Sequence, residues 1–102
     1  MSTKTKDDVI RGITQFTWEG VNISDKRTSV LGIWLVDAAM FRAWQTDVLT
    51  YLERYTPKAI HYIEAFKDTK ANDYFPKDVE NRIDLLNRLT KSIYEGTVDV
   101  VL

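Results

Sequence analysis

The single histidine of the chain, His61, stands three residues before Glu64. On a helix that spacing puts an imidazole and a carboxylate side by side, which is two ligands of a metal site. Zinc centres need three or four, and no second Glu-x-x-His or His-x-x-x-His completes the set. The expectation is an exposed histidine without a metal. Ser2, Ser24, Ser29 and Ser92 sit in capping or surface contexts with no Gly-x-Ser-x-Gly elbow, and nothing places one beside His61. Acidic residues pair at Asp7 and Asp8 and gather at Asp78, Glu80 and Asp84, where helix dipoles and surface ion pairs account for them. The four glycines are scattered, so no phosphate-cradling loop is read. Cysteine is absent, which removes disulfides, thiolate nucleophiles and cysteine zinc sites. No catalytic, cofactor-binding or metal residue is assigned, and the chain is expected not to be an enzyme.

The elements that would carry any function are helical by period. From Asp37 to Tyr55, one face at 100° per residue collects Met40, Phe41, Trp44, Val48, Tyr51, Leu52 and Tyr55. Each buried aromatic there removes about 150–250 Å² from water, which makes this the expected core helix. Asp37 suits its N-cap, because on the apolar face it would be an unpaired buried carboxylate. A first helix is expected over 6–20, with Val9, Ile10, Ile13, Phe16 and Thr17 on one face and a polar loop from Asn22 to Thr28. Trp18 lies opposite that face. It either packs beneath the loop, the expected arrangement, or stays on the surface for a partner. Val30 to Val36 reads as a strand or as helix, and an irregular or short helical segment is preferred because a lone strand would find no partner except 97–101. Thr56-Pro57 predicts a corner and a helix over 57–68 with Thr56 as cap. Asp68 to Phe75 is expected to be a loop with Tyr74 and Phe75 against the core. A last helix is expected over 77–95, opened by Pro76, with Gly96 as the residue after its end. The apolar tail Thr97–Leu102 would cover the helical core, pair as a strand with a neighbour, or mark the edge of an excised domain.

Composition narrows the class of partner. The chain has 102 residues, 44% hydrophobic and 28% charged, with 14 basic against 15 acidic residues. That is enough chain for one domain, 1–102, with its own core, and a net charge of −1 advertises neither nucleic acid nor an acidic tail. The polar start lacks the apolar stretch of a signal peptide, and no apolar run is long enough to span a bilayer, so a cytoplasmic location without membrane association is expected. In the C-terminal half, lysines and arginines from Lys58 to Lys91 alternate with Glu64, Asp73, Asp78, Glu80, Asp84 and Glu95, which breaks up any positive stripe. The corner at Thr56-Pro57 nevertheless keeps a small helical DNA-binding regulator as the alternative.

Three aromatic-rich or apolar segments bear a further likeness. Trp44 stands early in its helix, Leu52-Glu53-Arg54-Tyr55 closes it, Ala65-Phe66-Lys67 follows, and a leucine-rich helix ends in Ile93-Tyr94-Glu95-Gly96-Thr97-Val98. Over residues 6–98 this resembles the small helical domains at the N-termini of bacterial antiphage and abortive-infection effectors, which precede a nucleotide-sensing or catalytic domain. The resemblance implies an accessory role in regulation or oligomerisation and carries over no catalytic residue. The expectation is an all-α domain, a compact four-helix orthogonal or irregular bundle with a short extended C-terminal tail. It would act as a non-catalytic protein–protein interaction or self-association module without cofactors, with Trp18, Trp34, Tyr74, Val100 and Leu102 as candidate partner contacts.

Overall fold

The computed structural model describes residues 4–67 and 75–102. In chain order it contains α1 (Lys6–Asp25), β1 (Thr28–Val30), β2 (Ile33–Leu35), α2 (Ala38–Tyr55), α3 (Ile60–Lys67) and α4 (Pro76–Tyr94). The chain is mostly helical, as expected, but not all-α: β1 and β2 pair antiparallel, with Thr28 opposite Leu35, Ser29 opposite Trp34 and Val30 opposite Ile33.

α1 begins with a capping box. The Asp8 N–H donates to Thr5 Oγ1 at 3.2 Å, and the Thr5 N–H donates to Asp8 Oδ2 at 2.9 Å. The Thr5 N–H and the Thr5 hydroxyl, which also donates to Asp8 Oδ2 at 3.0 Å, favour the charged form and hold the Asp8 carboxyl below the ordinary value of 3.8. The helix does not stop at residue 20 but runs on to Asp25. Ile23 extends the buried row Val9, Ile13 and Gly20, and that burial outweighs the poor helix propensity of Asn22 and Ser24. Trp18 is therefore inside a helix, opposite its packed face and 66% exposed, rather than under a loop.

α2 is capped as its sequence predicts, the Met40 N–H donating to Asp37 Oδ1 at 2.9 Å. Phe41, Trp44, Val48 and Leu52 are buried, whereas Met40 at the start of the helix is partly exposed. The corner after α2 differs from expectation. Thr56 does not cap the next helix; its hydroxyl donates back to the Leu52 carbonyl at 2.8 Å, and it is fully buried. A turn through Pro57 and Lys58 follows, closed by the Ala59 N–H donating to the Thr56 carbonyl at 3.0 Å, so α3 starts at Ile60 rather than at residue 57. Its buried residues Ile63 and Phe66 face α2 and α4, and His61 and Glu64 are exposed.

Pro76 opens α4, where the missing N–H costs nothing. Phe75 before it is 41% exposed instead of packed on the core, and the other residues of the expected 68–75 loop lie outside the described residues. Val79, Leu86, Leu89 and Ile93 are buried against α1, with Tyr94 turned out to solvent. The helix ends in a Schellman motif. Gly96 takes φ +83°, its N–H donates to the Ile93 carbonyl, and the Thr97 N–H donates to that of Ser92 at 2.9 Å. The tail then covers the core, with Val98 and Val100 half-buried and the Val101 N–H donating to the Tyr55 carbonyl at 2.8 Å.

One core links all four helices. Trp44 meets Phe41 and Phe66 with ring centroids 6.2 and 5.4 Å apart, and its Nε1–H donates to the Phe16 carbonyl of α1 at 2.9 Å. A Cβ on Gly20 would lie 2.7 Å from Trp44 Cζ2 and 3.0 Å from Ile83 Cγ1, and one on Gly12 would overlap the Tyr51 hydroxyl. The two glycines, eight apart on α1, are the ledges on which α2 aromatics rest. Arg82, counted among the solvated basic residues by its sequence context, is 5% exposed. Its Nε donates to the Phe66 carbonyl at 3.0 Å and its guanidinium carbon sits 5.1 Å from the Phe41 ring centroid.

Two substitutions test this arrangement. Trp44→Ala is expected to lower stability by about 3–5 kcal/mol, read from the urea midpoint. Gly20→Ala gains about 1 kcal/mol of helix propensity and loses about 1–3 kcal/mol to overpacking, so its midpoint should also fall; a rise would show that the indole has room to move.

Candidate functional site

The apolar surface that the fold leaves uncovered is concentrated in the hairpin. Leu31 and Gly32 form its two-residue loop with φ +52° and +80°, the signs of a type I′ turn. Gly32 tolerates that backbone. Leu31 does not, because its Cβ crowds the following carbonyl at a cost of about 1–2 kcal/mol. No contact offsets the strain, since the side chain is 97% exposed. Around it Val30, Ile33 and Trp34 are each about half exposed, at 51, 52 and 55%. By register Val30, Ile33, Thr28 and Leu35 share one face of the ribbon, while Ser29 and Trp34 share the other.

The base of the hairpin is held firmly. Arg27, just before β1, donates from Nε to the Ser24 carbonyl and from an Nη to Ser24 Oγ, both at 2.8 Å. It also pairs with Glu80 of α4 at 3.2 Å. This places a cation at the C-terminal end of α1, where the helix dipole favours it. On the other side Val36 is buried in the core and Asp37 caps α2. A groove of about 370 Å³ lies beside this base, between Glu19 and Ile23 of α1, Lys26 just after it, and Met40, Trp44 and Asp47 of α2.

The candidate contact residues do not converge. Trp34 belongs to the hairpin, at the N-terminal end of α2. Val100 and Leu102 follow the tail to Tyr55 at the opposite end of that helix, 18 residues and about 27 Å away. Val100 packs on the core there, leaving Leu102 exposed. Trp18 is exposed on the outer face of α1, and Tyr74 lies outside the described residues. At the Tyr55 end, Lys4 Nζ lies 4.4 Å from the Tyr55 ring centroid and 3.3 Å from its hydroxyl, a bond that raises the lysine pKa. Burial raises that of Tyr51.

Leu31 and the pairing of Thr28–Val30 with Ile33–Leu35 were missed because the usual first residue of a type I′ loop is asparagine, aspartate or glycine. The readable trace was a glycine at the second loop position between two runs rich in β-branched and aromatic residues. Among the described residues no three histidine or acidic side chains group as a metal site, and no helix is long and apolar enough to cross a membrane. Comparison with protein-family models, with curated proteins and with solved structures gave no match to this chain.

Replacing Leu31 by Asn should relieve the turn and raise stability by about 0.5–1 kcal/mol, because no packed contact is lost. An unchanged or lower melting temperature would mean that Leu31 is supported within its own chain.

Proposed function

We propose that the chain is a non-catalytic protein–protein interaction module and that its hairpin is the contact element. What carries this reading is Leu31, a large apolar side chain that is strained and solvated at once. An isolated folded chain gains nothing from either property, whereas a bound partner surface would bury the side chain and offset the turn. The anchored base adds to this, because a preorganised loop loses little entropy on docking. An accessory role of the kind implied by the likeness to antiphage effector domains is consistent with a module that binds rather than reacts. The corner at Thr56–Pro57 favours DNA recognition less, since Lys67 of α3 pairs with Glu53 at 3.2 Å.

A photo-crosslinking residue at position 31 tests the assignment, with the same residue at exposed position 61 as reference. Irradiation in the cell of origin is expected to give a covalent protein adduct from position 31 and not from position 61. Absence of an adduct at 31, or equal adducts at both, rejects the hairpin as the contact element.

A further inference from the structure

Resting on that reading, we propose that the partner of the hairpin is a second copy of this chain, the two ribbons meeting about a two-fold axis. The first argument is the state of the edges. β1 and β2 form a two-stranded sheet, so each presents an outer edge with which no other strand among the described residues pairs. A two-stranded ribbon is marginal in water, and chains that remain monomeric guard such edges with lysine, proline or a bulge. Thr28-Ser29-Val30 and Ile33-Trp34-Leu35 contain no charge and no proline. An unguarded edge is also self-complementary, since a strand placed antiparallel to its own copy satisfies a two-fold axis.

The second argument is area. With Leu31 almost wholly exposed at the tip and Val30 and Ile33 about half exposed on one face of the ribbon, these three residues present roughly 350 Å² per copy, Trp34 lying on the other face. Their mutual burial hides roughly 700 Å², and pairing of the ribbon edges adds to it, which is the range of weak, reversible interfaces. The third is charge. A net −1 per copy provides little repulsion between two chains, and the nearest charges, Lys26, Arg27, Asp25 and Asp37, are of mixed sign at the base of the hairpin. That mixture also fails to supply the cationic rim that an anionic lipid surface would select.

An interface of this size is expected to dissociate at Kd on the order of 1–100 µM. Sedimentation equilibrium above that range should give twice the 11.9 kDa mass of one chain, falling to a single mass on dilution. Leu31→Asp, which tolerates the left-handed turn, and Ile33→Lys should each weaken association at least tenfold with an unchanged circular dichroism spectrum. Trp18→Ala, on a different face, should leave it as it was. A wild-type chain that stays at 11.9 kDa overturns the proposal. So does a dimer indifferent to both hairpin substitutions, and so does a monomer that transfers to phosphatidylcholine vesicles through the hairpin. If position 31 crosslinks to a different protein while the purified chain is monomeric, the second copy is rejected and the contact role of the hairpin stands. If it crosslinks to nothing, both fall.

Discussion

The indole of Trp44 is the point at which the four helices are tied together. Its ring packs on Phe66 of α3 and against Gly20 of α1, a glycine that Ile83 of α4 also approaches, and its nitrogen would be an unsatisfied buried donor if the Phe16 carbonyl were not within reach. That bond requires α1 to approach α2 closely, and close approach requires residue 20 to have no side chain. One hydrogen bond therefore dictates a glycine in another helix, and the glycine makes α1 and α2 a fixed pair. Arg82 performs the matching task on the far side of the ring cluster. With Gln45, whose Nε2 donates at 3.2 Å, it hydrogen-bonds the Phe66 carbonyl of α3.

Much of this was legible in the residues. The core face of α2, its Asp37 cap, the opening of α4 at Pro76 and the close of α4 at Gly96 follow from period and capping chemistry, which act within one turn. What was not legible depends on contacts between segments distant in the chain. The last five residues of α1 have weak propensity and are helical because Ile23 finds the core. Arg82 looks like any surface arginine until two phenylalanines and a carbonyl close around it. Thr56 precedes a proline as a cap would, yet the tertiary turn directs its hydroxyl back into α2. The candidate contact residues divide in the same way. The exposure of Trp18 and Trp34 could be weighed from their neighbours, but the conformation of Leu31 needed the strand pairing.

At the hairpin the conflict between local and global preferences leaves a residue strained and apolar side chains in water. Elsewhere, at the Asp37 and Gly96 caps and along the buried rows of α2 and α4, capping, period and burial agree, as they do in sequences with a single low-energy fold. Here a residue that disfavours positive φ occupies such a position, and apolar side chains face water on both sides of a ribbon too small to protect them. Disagreement of this kind concentrates at sites shaped by something outside the folded chain. The clamp formed by Arg27, Ser24 and Glu80 ties the base of the hairpin to α1 and α4.

Lys4 and Val101 both engage Tyr55, so the two ends of the described chain lie side by side at the pole farthest from the hairpin. A molecule joined to either end would hang from that pole and leave the apolar tip free. Back to back through their tips, two such chains would carry their burdens at the outer extremes of a short rod. The arrangement would hold its cargoes apart rather than bring them together.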